Sequence, residues 1–61
     1  MNEIIARIKE LSAALVTDAT LQTERGNKAA GVRARKVSLE LERLLKEFRK
    51  VSLEEVKNRE A

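Results

Sequence analysis

Arg25-Gly26-Asn27-Lys28-Ala29-Ala30-Gly31-Val32-Arg33-Ala34-Arg35-Lys36 is the stretch on which the fold turns. It holds both glycines of the 61-residue chain and five of its thirteen basic residues, with no acid among them. Gly26 after Arg25 has the form of a left-handed C-cap with a cation in the last helical turn. Asn27 is then placed to cap a second helix through its side-chain oxygen. A two-residue break of this kind makes consecutive helices antiparallel neighbours. The competing architecture is one continuous helix through Gly26, paired as a parallel coiled coil. Gly31 costs its helix ~1 kcal/mol relative to Ala. It falls at the edge of the apolar face, where a missing side chain permits close approach of another backbone or of a phosphate.

Upstream, the spacing predicts a helix over about residues 2–24. Ile4, Ile8, Leu11 and Leu15 form its apolar face, widened by Ile5, Ser12, Val16 and Ala19. Asn2 is the expected N-cap, and Glu3 suits the positive end of the helix dipole. Downstream, a second helix is expected over about residues 28–58. Ala30, Ala34, Val37, Leu41, Leu44, Phe48 and Val51 alternate four and three apart, a coiled-coil seam with Leu45 at its margin. Arg35-Lys36-Val37-Ser38-Leu39-Glu40 recurs as Arg49-Lys50-Val51-Ser52-Leu53-Glu54, two heptads on. The copies share nearly one face and stand about 21 Å apart. Heptad periodicity with few residue types accounts for such a repeat; two equivalent basic patches along one helix are the sharper alternative. Leu39 and Leu53 lie far round from the seam, where they suggest a second contact surface.

The expected fold is therefore all-α: one domain over residues 1–61, an antiparallel two-helix hairpin dimerising into a four-helix bundle. Dimerisation follows from size, because a chain this short buries little apolar surface alone and needs disulfides, metals or a partner. The sequence has no Cys and no His, so neither a disulfide nor a zinc or iron–sulfur site is expected. The expected oligomer core is Ile4, Ile8, Leu11 and Leu15 with Val37, Leu41, Leu44, Phe48 and Val51. The longer second helix is expected to project a turn or two past the start of the first.

Catalysis finds little footing. Ser12, Ser38 and Ser52 have no base beside them except Lys or Glu on solvated faces, and Tyr is absent as well. We expect no enzyme, catalytic residue, cofactor, metal or small-molecule substrate. No apolar run reaches the ~18 residues of a membrane span, and the N-terminus lacks a signal-peptide core.

Charge is more informative. Residues 1–24 carry two cations and four acids, residues 25–50 nine and three, and residues 51–61 two and three. Net charge is thus −2, +6 and −1 along the chain. A basic centre of this kind steers anionic partners. At the start of the second helix, Lys28, Arg33, Arg35 and Lys36 stand beside free backbone N–H groups, so dipole, donors and fixed charge add for a phosphate. The wider candidate set for contact with nucleic acid is Arg25, Asn27, Lys28, Arg33, Arg35, Lys36, Arg43, Arg49 and Lys50. Between residues 40 and 50, acids at i+4 (Lys36–Glu40, Arg43–Glu47) also allow an ordinary solvated, salt-bridged face. With no aromatic platform and no zinc finger or helix-turn-helix pattern, binding through phosphates would be sequence-tolerant and strongly salt-dependent.

Residues 24–36, followed by Ser38-Leu39-Glu40-Leu41-Glu42 and Phe48-Arg49-Lys50-Val51-Ser52, resemble the small histone-like nucleoid proteins of bacteria. That family is typified by the linker-histone-like proteins of chlamydiae and has short relatives in the Bacteroides group. The resemblance implies a non-specific double-stranded DNA-binding protein of the cytoplasmic nucleoid that compacts the chromosome. Asn27, Lys28, Arg33, Arg35, Lys36, Arg49 and Lys50 are the matching positions. Longer chlamydial members carry a Lys- and Ala-rich tail that this sequence does not show, which implies that the chain represents chiefly the oligomerising half of the design. The alternative function is a helical oligomerisation or protein-interaction module without nucleic-acid binding. An amphipathic helix on an anionic membrane fits less well, since the apolar stripe is needed for the core.

Overall fold

The local chemistry at Gly26 and Asn27 builds the turn. The computed structural model describes residues 1–60 and contains two helices, α1 (Asn2–Arg25) and α2 (Lys28–Glu60); Ala61 lies outside the described residues. Gly26 has φ 64° and ψ 25°, the left-handed conformation that favours a residue without a Cβ. Its N–H donates to the Gln22 carbonyl at 3.0 Å, and the Asn27 N–H donates to Leu21 at 3.3 Å. Carbonyls that α1 would otherwise leave unpaired are thereby satisfied. Asn27 Oδ1 accepts the Ala30 N–H at 3.0 Å and caps α2 as expected. The chain reverses, and a single continuous helix is excluded.

At the other end of α1, Met1 rather than Asn2 is the N-cap, with no side-chain cap bond. The Met1 carbonyl already accepts the Ile5 N–H at 3.1 Å, so Asn2 is drawn into the first turn. α2 is longer than α1 by nine residues, 33 against 24, or about 13 Å of rise. The hairpin measures 52 × 15 × 14 Å, its length set by α2.

The core is a single seam between the two helices. Leu11, Ala30, Ala34 and Leu41 are buried, and Ile4, Ile8, Leu15, Val37, Leu44, Phe48 and Val51 are half-buried. Every expected core position therefore faces the partner helix. None of the large side chains among the described residues is fully enclosed, because one neighbouring helix covers only one side of each. Ile5 and Val16, expected to widen the α1 stripe, remain 50% and 66% exposed. Gly31 is buried: a Cβ there would meet the Gln22 side chain at 2.6 Å. The close approach at Gly31 is thus made by a side chain of α1, which covers the position from outside. Among the described residues no helix is long and apolar enough to cross a membrane.

Candidate nucleic-acid interface

Antiparallel pairing sorts the charged side chains in a way that spacing along one helix does not reveal. Asp18 lies about two turns before the reversal and Arg33 about two turns after it. They meet across the seam, with Arg33 Nε and Nη2 both donating to Asp18 Oδ1 at 3.3 Å. Segment 25–36 carries no acid of its own, but α1 supplies one, and Arg33 is the cation it takes. Further along the same edge, Arg7 donates through Nη1 to Glu10 at 3.1 Å and through Nη2 to Glu40 at 2.9 Å. The hydrogen bond with Glu10 and the charge of Glu40 hold the Arg7 guanidinium above its ordinary pKa. A raised pKa means that this contribution is complete at neutral pH and is lost only as pH rises through the raised value.

These pairings correct two expectations. Lys36 does not pair with Glu40, whose carboxylate is drawn to Arg7 instead. Arg43 does not pair with Glu47. An i,i+4 pair on a solvated helix contributes only about 0.3–0.5 kcal/mol, so a cross-helix guanidinium with two acceptors in reach displaces it. The i,i+4 pairs present are Lys46–Glu42 at 3.9 Å and Arg59–Glu55 at 3.7 Å.

Most of the sequence-derived DNA set consequently stands apart from carboxylates. Arg25, Lys28, Arg35, Lys36, Arg43, Arg49 and Lys50 are exposed, and none forms an ion pair among the described residues. Arg25 and Lys28 flank the turn, and Arg35 and Lys36 follow about 10–12 Å along α2 in the turn-proximal third of that helix. Asn27 stands among them, but its Oδ1 is committed to the cap. Ala30 and Gly31 N–H groups are also taken, by Asn27 Oδ1 and the Asn27 carbonyl. The N–H groups of Lys28 and Ala29, at the first two positions of α2, are the ones that point out along the helix axis. Arg33 belongs to the paired edge. Sequence reasoning missed Arg7 and Asp18; the only signal for them was the antiparallel register that the turn imposes.

The surface has shallow depressions and no enclosed cavity among the described residues. One depression, on the paired edge, is lined by Arg7, Leu11, Glu40, Arg43, Leu44 and Glu47. No group of three or more acids among the described residues is arranged to hold a metal ion. The arrangement offers fixed positive charge on a rigid rod, suited to an extended anion.

No curated protein and no solved structure matches this chain. A family model described as Histone H1-like protein Hc1 matches residues 2–58, from the first turn of α1 almost to the end of α2 and including the whole cationic set. Hairpin, turn chemistry and basic surface all lie inside that match, and the chain belongs to the histone H1-like protein Hc1 family.

Proposed function

We propose that this chain is a non-sequence-specific DNA-binding architectural protein of the bacterial nucleoid, gripping phosphates through the basic start of α2. The observation that carries this is the set of Arg25, Lys28, Arg35 and Lys36, exposed and free of ion pairs in a histone H1-like chain. The cations and the Lys28 and Ala29 N–H groups favour an anion at this end, while the adjoining C-terminus of α1 offsets the α2 dipole. Backbone contacts of this type position a protein on the duplex without reading its sequence.

Fluorescence anisotropy of the full chain on random-sequence duplex at 50 and 200 mM salt tests the proposal. Four phosphate contacts per chain give a log–log salt slope near −3.6, or ~100-fold weaker binding at the higher salt. Lys28→Glu, Arg35→Glu and Lys36→Glu together should abolish binding with helicity unchanged; Arg33 is left alone because reversing it would set a carboxylate against Asp18. Absence of wild-type binding at low salt, or binding indifferent to salt, refutes the proposal.

Self-association belongs to the same proposal, and surface area supports it. A compact monomer of 6.9 kDa exposes about 4,000 Å², whereas this chain exposes 5039 Å². The excess, about 1,000 Å², is comparable to the ~800 Å² each partner buries in a standard interface. Ile5, Ser12, Val16 and Ala19 of α1 lie on the edge opposite the ion pairs, as do Ser38 and Leu45 of α2, and Lys9 is the one charged side chain on the α1 strip. A second copy packing there completes the four-helix bundle and shields Ile5, Val16 and Leu45.

A further inference from the structure

The proposed contact at the turn leaves most of α2 unassigned. Its outer surface, turned away from α1, has a regular construction. Lys36, Arg43 and Lys50 recur every seven residues, each exposed and without an ion-pair partner among the described residues. On an α-helix they form a nearly straight column with steps of about 10.5 Å. Beside it runs a second heptad column, Val32, Leu39, Lys46 and Leu53, whose apolar members are 44%, 60% and 65% accessible. Beyond these stand Lys28, Arg35 and Arg49, with Glu42 between the two arginines. The repeated Arg-Lys-Val-Ser-Leu-Glu motif is what builds this surface: each copy places an Arg and a Lys on either side of its Leu. The acids that could have quenched the column are largely engaged, Glu40 by Arg7 and Glu42 by Lys46. Glu47 and Glu54 border it on the side nearer the paired edge.

From this we infer that the outer face of α2 is a lengthwise docking surface for a nucleic-acid backbone, running from Lys28 to Lys50. The inference rests on the nucleic-acid reading above and extends it from a grip at the turn to a rail along the rod. Charge selects the occupant: two lines of cations flank a strip of exposed Val32, Leu39 and Leu53 broken by Lys46, which suits an extended polyanion whose sugars lie between charged phosphates. Dimension agrees as well. Twenty-two residues of α-helix span about 33 Å, close to the ~34–36 Å of one duplex turn. Each hairpin then covers about ten base pairs. Leu39 and Leu53 contribute a salt-independent apolar contact, and the cations supply the salt-dependent part by counterion release.

The test uses the full chain and a 16-base-pair random duplex, read by anisotropy across a salt series. The far-end variant R43Q/R49Q/K50Q touches nothing at the turn and keeps good helix formers in place. Loss of three phosphate contacts should make the log–log salt slope shallower by about 2.7. L39Q/L53Q should weaken binding several-fold at every salt concentration, with slope and oligomeric mass unchanged. If the far-end variant keeps the wild-type slope while R25Q/K28Q loses it, DNA is held at the turn alone; the rail is then overturned and the proposed function stands. If L39Q/L53Q changes oligomeric mass, the strip is a subunit interface and the rail is likewise overturned. Failure of the wild-type chain to bind any duplex instead removes the proposed function, and the rail with it.

Discussion

Gly26→Ala tests whether the reversal of the chain is specified by one backbone conformation. At Gly26 φ is 64°, and no atom lies within 4 Å of where a Cβ would stand. The substitution therefore meets no steric obstacle beyond its own backbone, and its cost is that of placing an L-residue in the left-handed region, about 1–2 kcal/mol. Gly31→Ala is the internal control. There φ is ordinary, and a Cβ would meet the far end of the exposed Gln22 side chain at 2.6–2.9 Å. Gln22 can rotate away into solvent, so the gain in helix propensity, up to ~1 kcal/mol, is largely kept. In a domain this small each kcal/mol moves the melting temperature by about 4–8 °C. Circular dichroism melts at matched protein concentration should thus put Gly26→Ala some 4–16 °C below wild type and Gly31→Ala level with it or a few degrees above. Small-angle scattering adds a second readout. The hairpin is 52 Å long, whereas residues 2–60 as one straight helix would reach about 88 Å. A Gly26→Ala chain that melts higher than wild type and lengthens toward that value would show that Gly26 does not specify the turn, and would refute the reasoning.

Leu41→Ala removes one of the four buried side chains of the seam, opposite α1. A cost of about 2–3 kcal/mol is expected, at the low end for such changes because a two-helix layer can close partly over the gap; a melting temperature within 4 °C of wild type would show that Leu41 is not a core residue. Ile5→Glu with Val16→Glu should convert the proposed dimer to monomer in sedimentation equilibrium, since both are exposed apolar side chains on the edge of α1 proposed to pack against a second copy. An unchanged mass would move the subunit interface elsewhere.

The turn and the seam were legible in the sequence because both depend on short-range chemistry. Left-handed Gly26, capping Asn27 and the four–three alternation from Ala30 to Val51 each act within one or two helical turns. Depth of burial was harder to read. The pattern marks Ile5 and Val16 as part of the α1 stripe, yet a hairpin has one partner helix to offer, and both stay exposed. Only a further subunit could bury them, and no spacing within a chain reports that. The ion pairs were illegible for a different reason. Lys36–Glu40 and Arg43–Glu47 have i,i+4 spacing but with the cation first, the weaker orientation, whereas the i,i+4 pairs that form, Glu42–Lys46 and Glu55–Arg59, have the acid first. Arg7 competes for Glu40, and its reach depends on how α1 is rotated about its own axis.

The same rotation explains how an only mildly basic chain presents a strongly basic surface. Net charge is +3, and the acids nearly equal the cations in number. Folding gathers Glu10, Asp18 and Glu40 at one edge, where Arg7 and Arg33 neutralise them. What remains on the outer face of α2 is a set of cations, Lys28, Arg35, Lys36, Arg43, Arg49 and Lys50, with no ion-pair partner among the described residues. In the proposed dimer the edges carrying Ile5, Val16 and Leu45 meet, so both outer faces of α2 stay open to solvent. A particle with two such faces can hold two duplex segments at once, each through about a turn of backbone. Bridging of this kind would compact DNA without bending it sharply. It also makes oligomerisation and compaction one property: a monomer keeps its affinity for a single duplex, but only the dimer draws two together.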